Sequence, residues 1–207
     1  MQKYSTYLFD FDGTLVDSHD SLVKVFDGAY GSIGVKVPEG YVLRLMRIPL
    51  EQGYKELNGP TDPALIKIFG DNINRLLDDE EVLKLTRSYE DTLDCLTKLK
   101  NEGATLGIVT SNNVKHVEDV LRFLNIDRNL FSIIIGNKET KKHKPNPDPI
   151  YKALEILNIS KNGVCYVGDA LDDKKAAVNA GVTPVLLDRA HQYENEDGIV
   201  ISSLSEL

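Results

Sequence analysis

The apolar positions of the chain fall into two regimes. From about residue 90 onward, short apolar runs alternate with stretches of helical spacing, whereas between the first run and that point only helical spacing occurs. The first run, Tyr7-Leu8-Phe9, reads as a central strand buried on both faces. Leu22, Val25, Phe26, Ala29 and Ile33 then recur at helical intervals and predict an amphipathic helix over 19–33, ended by Gly31 and Gly34. Helical patterns follow at about 39–47, 50–58 and 62–77, the last lined by Ile66, Phe69, Ile73, Leu76 and Leu77. A helix over 91–101 precedes a strand over 105–110, and Val117, Val120, Leu121 and Leu124 mark one face of the next helix. A strand over 131–136, a helix over 149–157, a strand over 164–168, a helix over 171–180 and a strand over 182–187 complete the alternation, with a short extra strand at 198–201.

Alternation of this kind, with short connections and right-handed crossovers, predicts an α/β fold with a doubly wound parallel sheet. A Rossmann-like core would be formed by 1–16 and 87–207, with a small helical domain, 17–86, inserted after the first strand. The two joins, near 16–18 and 86–91, would serve as a hinge.

Composition narrows the function classes. With 42% hydrophobic and 27% charged residues, the chain has the make-up of an ordinary soluble globular protein. A formal net charge of -8 argues against nucleic-acid partners, which require a basic stripe. No apolar run approaches the length of a bilayer span, and no basic head precedes a long apolar stretch, so a cytoplasmic protein without a membrane partner is expected. Cys95 and Cys165 stand singly in apolar stretches and read as small core residues; zinc is not expected.

The first strand runs into Asp10-Phe11-Asp12-Gly13-Thr14. Two carboxylates one residue apart repel unless a cation or a lysine sits between them, and magnesium suits an all-oxygen set. A calcium loop of the EF-hand type also begins Asp-x-Asp, but it needs glycine at its sixth position and glutamate at its twelfth; here Gly13 is fourth and Ser21 twelfth. Ligands of open parallel sheets bind beyond the carboxyl ends of the strands. Two further strands end in polar groups there, at Thr110-Ser111-Asn112 and at Gly168-Asp169 followed by Asp172 and Asp173; Lys144-Pro145-Asn146-Pro147 precedes the last of these strands. Each alone has a structural explanation. Thr110, Asn112 or Asn113 can cap the helix that follows, Asp172 can cap the helix after it, and Lys141-Lys142-His143-Lys144 can be a solvated loop. Their joint occurrence at successive strand ends points to chemistry.

Through four motifs, Asp10-Phe11-Asp12-Gly13-Thr14, Thr110, Lys144 and Gly168-Asp169 to Asp173, the chain resembles the haloacid dehalogenase superfamily over essentially its whole length. The resemblance is to the phosphatase branch with a helical cap, specifically to phosphoglycolate phosphatases and related pyrophosphatases. It implies a small phosphorylated metabolite as substrate, Asp10 as nucleophile, Asp12 as general acid and base, and magnesium held by Asp10, Asp169 and the carbonyl of Asp12. Thr110, Ser111, Asn112 and Lys144 would bind the phosphoryl oxygens, and Asp173 would orient Lys144 or a metal-bound water.

Other branches of the superfamily fit less well. Dehalogenases and phosphonate hydrolases lack the second aspartate, present here as Asp12, and the sugar phosphate mutases carry a histidine where this chain has Leu22. A pyrophosphatase, a nucleotidase, a sugar phosphatase or phosphomutase, and a non-catalytic phosphate-binding regulatory protein remain as alternatives. The cap segment Arg44-Leu45-Met46-Arg47-Ile48-Pro49-Leu50 departs from the Gly-x-Pro-Leu-like family pattern, and Arg44 or Arg47 is expected to pair with an anionic group of the substrate.

Overall fold

A computed structural model describes residues 4–48, 50–193 and 195–207; of Leu43, Met46, Arg47 and Glu51 it describes the backbone alone. The chain divides into two compact units, one of Met1–Asp17 with Ser88–Leu207 and one of Ser18–Arg87.

The larger unit is built on six parallel strands. Thr6–Phe9 (β1), Thr105–Val109 (β4), Ile133–Ile135 (β5), Val164–Gly168 (β6), Thr183–Leu187 (β7) and Ile199–Ile201 (β8) stand in the order β5-β4-β1-β6-β7-β8. Every neighbouring pair is parallel, with Leu8 opposite Gly107 on one side and Tyr166 on the other. From β1 the chain winds outward through β4 and β5, then returns to β6 on the other side of β1 and winds the opposite way. That reversal places a crevice at the carboxyl ends of β1 and β6. Helices Thr92–Asn101 (α6), Val114–Phe123 (α7), Asp148–Leu157 (α8) and Leu171–Ala180 (α9) alternate with the strands. Leu8, Val109, Ile133, Ile135, Ile150, Ala153, Val164, Tyr166 and Ala177 pack into one buried cluster, which is why β1 and β6 read as unbroken apolar runs. Both cysteines are free and buried.

The smaller unit is helical: His19–Gly31 (α1), Val42–Arg47 (α2), Leu50–Glu56 (α3), Pro63–Leu77 (α4) and Glu80–Leu83 (α5). Its core gathers Leu22, Val25, Phe26, Ala29 and Tyr30 of α1 with Phe69, Leu76 and Leu77 of α4. Tyr30 and Phe69 have ring centroids 4.7 Å apart, and Tyr54 lies 5.0 Å from Phe69. The start of α4 follows from its sequence, because Asp62 accepts the Ala64 N–H and Pro63 occupies the first turn.

The doubly wound parallel sheet with an inserted helical unit matches expectation, and the extra strand at 198–201 is present as β8. Elements not expected are α5, the short 3-10 turns Arg128–Leu130 and Leu204–Glu206, and the two-residue strands Val16–Asp17 (β2) and Arg87–Ser88 (β3), the two strands pairing in a sheet of their own. Two residues are too few to show a period. Among the described residues, no helix is long and apolar enough to cross a membrane.

Candidate active site

The sheet delivers four groups of polar residues to its carboxyl edge. Asp10 follows β1 directly, and its N–H continues the ladder by donating to the Val167 carbonyl at 2.8 Å. Thr110 does the same after β4, donating to the Ile135 carbonyl at 2.9 Å. Asp169 follows β6, and Asp173 lies one turn into α9. Lys144 comes from the connection between β5 and α8.

These residues meet at one ammonium group. Lys144 Nζ donates to Asp10 Oδ1 at 2.7 Å, to Asp173 Oδ1 at 2.6 Å and to the Tyr166 hydroxyl at 3.2 Å. The three charged side chains are nearly removed from water, 10% exposed for Lys144, 11% for Asp10 and 2% for Asp173. Burial pushes the Asp10 carboxyl well above the usual carboxylate range; Lys144 opposes this, while Asp173 and Asp169 add to it. Burial alone would lower the Lys144 ammonium, but Asp10 and Asp173 outweigh it and hold it above its ordinary value. Lys144 therefore stays charged.

Asp10, Asp169 and Asp173 each offer a carboxylate oxygen, all within 4.8 Å of one another. When ionised, three carboxylates outnumber one ammonium by two charges, so the cluster matches a divalent cation in charge, and its all-oxygen donors match magnesium in kind. Asp169 is further engaged by Thr14 Oγ1 at 3.3 Å. Gly13 closes over it with a φ of +80°, and a Cβ at that position would lie 2.7 Å from Asp169 Oδ2.

Asp12 is held by a different side chain. Its Oδ2 accepts from Asn112 Nδ2 at 3.2 Å, while Oδ1 is buried and without a hydrogen-bond partner among the described residues. The loop after β4 is held by its own side chains. Thr110 Oγ1 accepts the Asn112 N–H at 3.1 Å, which leaves its hydroxyl proton to donate, and Asn112 Oδ1 accepts the Asn113 N–H at 2.9 Å. Ser111 is exposed. Of the candidate caps, Asn113 serves α7 by accepting from the His116 N–H at 2.7 Å. Asp172 does not cap the last helix: α9 starts one residue earlier, at Leu171, and Asp173 Oδ2 takes the Ala170 N–H at 3.1 Å.

Arg44 lies in α2 and is bound within its own unit. Its guanidinium forks onto the Glu56 carboxylate at 2.9 and 2.6 Å, which Tyr41 and Gln52 also approach, and these donors bring the Glu56 carboxyl down to about 2. The Arg47 side chain is outside the described residues.

Three contributors were not singled out from sequence. Tyr166 lies under Lys144, with its ring buried in β6 and its hydroxyl donating to the Val109 carbonyl at 2.7 Å. Thr14 reaches Asp169. Arg189 donates to the Thr14 carbonyl at 3.1 Å, forks onto Asp91 at 2.9 Å twice, and covers the Tyr89 ring at 3.8 Å. Its partners lie far along the chain, so no local pattern marks it; a tyrosine inside a fully apolar strand was the one signal available for Tyr166.

The family model described as haloacid dehalogenase-like hydrolase matches residues 7–187. A phosphoglycolate phosphatase of Pasteurella multocida is 30% identical over 206 residues, covering 93% of this chain and 89% of that protein. The pyrophosphatase PpaX of Listeria welshimeri is 26% identical over 215 residues, covering 99% and 95%. A crystal structure of a haloacid dehalogenase-like hydrolase from Bacteroides fragilis superposes with a TM-score of 0.88 at 28% identity, over 99% of this chain and all of that one.

Proposed function

The chain belongs to the haloacid dehalogenase-like hydrolase family, and from that premise we propose that it is a magnesium-dependent phosphomonoester hydrolase that works through an aspartyl phosphate. The observation that carries this reading is the buried Asp10 carboxylate, 2.7 Å from the Lys144 ammonium and grouped with Asp169 and Asp173 at the crevice of the sheet.

In this reading Asp10 attacks phosphorus with one carboxylate oxygen, and the bond from phosphorus to the ester oxygen breaks. Asp12 gives its proton to the departing oxygen, so it must enter the cycle protonated. Water then attacks the phosphorus of the acyl phosphate and loses a proton to Asp12; the bond to Asp10 breaks and inorganic phosphate leaves. The Oδ1 of Asp12 supports this role, since among the described residues no neighbour competes for the proton it would carry. Lys144 and the Thr110 hydroxyl would donate to the phosphoryl oxygens, together with Ser111 and Asn112. Magnesium would be held by Asp10, Asp169 and the carbonyl of Asp12, with Asp173 in the same cluster, and when bound it supplies positive charge against the phosphate dianion.

The names of the relatives support a reading of the substrate class. Phosphoglycolate and pyrophosphate are both small and carry a second anionic group beside the phosphoryl group, so a compact phosphate ester with a second negative charge is the proposed substrate. Pyrophosphate is the second reading, favoured by the PpaX relative. Arg44 or Arg47 would meet the second charge, Arg44 by exchanging Glu56 for substrate.

The test is release of inorganic phosphate from phosphoglycolate, pyrophosphate, nucleotides, sugar phosphates and an aryl phosphate, with and without magnesium. Asp10→Asn should reduce turnover to background while preserving the fold, because the amide is nearly isosteric and a poor nucleophile. Retained turnover in that variant would remove Asp10 from the chemistry, and a wild-type protein inert toward every ester would favour a binding protein.

A further inference from the structure

Lys144 has three N–H donors and no acceptor. All three are engaged, with Asp10 Oδ1 at 2.7 Å, Asp173 Oδ1 at 2.6 Å and the Tyr166 hydroxyl at 3.2 Å. The single proton of that hydroxyl goes to the Val109 carbonyl, its shortest contact at 2.7 Å; Asp173 Oδ1, 3.2 Å away, already receives Lys144. Tyr166 therefore meets the ammonium as an acceptor. Its ring is 1% exposed in the middle of the sheet, so packing fixes where that acceptor stands.

A saturated ammonium cannot take up a phosphoryl oxygen without giving up a partner. The two carboxylates hold Lys144 by short bonds between opposite charges, whereas the tyrosine offers it a longer bond to a neutral oxygen, so the tyrosine contact yields first. We infer that Tyr166 is a positioning residue for Lys144: its hydroxyl occupies the third donor while no phosphoryl group is bound and hands it over when one arrives. This deepens the phosphatase reading and rests on Lys144 being a phosphate ligand. The step exchanges hydrogen bonds alone; no covalent bond or proton changes owner.

The inference carries a sign that a merely structural role would not. Tyr166 stabilises the phosphate-free site, so removing its hydroxyl should tighten phosphate binding rather than weaken it. In Tyr166→Phe, titrated with inorganic phosphate in the presence of magnesium chloride, the dissociation constant should fall about tenfold or more relative to wild type, the worth of one hydrogen bond to a charged group. An unchanged or weaker affinity overturns the inference. If Tyr166→Phe does not fold, a crystal structure of the wild-type protein with phosphate on Lys144 decides the matter. Loss of hydrogen-bonding distance between Nζ and the hydroxyl supports the handover, and a retained 3.2 Å contact overturns it. Phosphate bound with no effect of the hydroxyl sinks this inference alone, whereas a wild-type protein that binds no phosphate sinks the phosphatase reading with it.

Discussion

Replacing Gly13 by alanine tests where Asp169 acts, and the structure separates two costs of that change. Gly13 has a φ of +80°, a left-handed backbone that an alanine adopts at about 1–2 kcal/mol. A Cβ there would also lie 2.7 Å from Asp169 Oδ2, about 0.7 Å short of the 3.4 Å where ordinary contact begins, so the carboxylate must move. Gly103 supplies the control, since its φ is +84° and a Cβ there would meet nothing within 4 Å. Both variants share the backbone cost, and Gly13→Ala alone displaces Asp169. Urea denaturation followed by circular dichroism should show each variant destabilised by about 1–2 kcal/mol, Gly13→Ala somewhat more. Initial rates across a magnesium titration should then part them. Gly103→Ala should keep the wild-type requirement, and Gly13→Ala should need at least ~10-fold more magnesium for half-maximal rate, the usual effect of disturbing a ligand's support. A Gly13→Ala enzyme with the wild-type requirement and turnover would show that Asp169 does not hold the ion.

Two further variants probe proton transfer and the region around Arg189. Asp12→Asn leaves the attack by Asp10 possible when the leaving group is a phenolate that needs no proton, but removes the base for the second step; an aryl phosphate should give one rapid equivalent of phenol followed by turnover slowed about 10²–10⁴-fold. Wild-type turnover of an alkyl phosphate by that variant would exclude Asp12 as acid and base. Asp91 accepts from Arg189, from Ser203 Oγ at 2.7 Å and from the Leu204 N–H at 2.8 Å. Burial alone would raise its carboxyl, yet these donors outweigh burial and hold it below the ordinary 3.8. A depressed value in the folded state means stability that is fully present above the unfolded value of 3.8 and lost as pH falls from there through the folded value. Asp91→Asn should thus be about 1–3 kcal/mol less stable than wild type at pH 7, with the gap shrinking in acid below about pH 4. A gap that stays constant down to pH 3 would contradict the assignment.

What sequence could and could not reveal divides along the range of the interaction. The sheet was legible because its central strands are runs of buried residues bounded by turns, and Asp10, Thr110 and Asp169 were legible because each directly follows a strand end. Tyr166 was hidden by the opposite circumstance. In a strand with both faces covered, a tyrosine used for its hydroxyl has the same pattern as one used for its ring. Arg189 was hidden by distance, its carboxylate partner lying 98 residues away, and the fork between Arg44 and Glu56 joins two helices across twelve residues, beyond the reach of any within-helix spacing.

The motif around β6 shows how a local spacing encodes a contact of this kind. The resemblance left Asp173 with two tasks, orienting Lys144 or a metal-bound water; the 2.6 Å contact to Lys144 favours the first as a proposal. Asp173 reaches it by folding back toward the strand, where a Cβ on Gly168 would lie 2.4 Å from the Asp173 carboxyl carbon. Its second oxygen takes the Ala170 N–H, so the same carboxylate closes the first turn of α9. Glycine at 168, the carboxylate at 169 and the carboxylate at 173 are therefore one geometric unit. The glycine leaves the space that Asp173 fills, the turn fixes Asp173 against Lys144, and Asp169 is left to face Thr14 and Gly13 across the crevice.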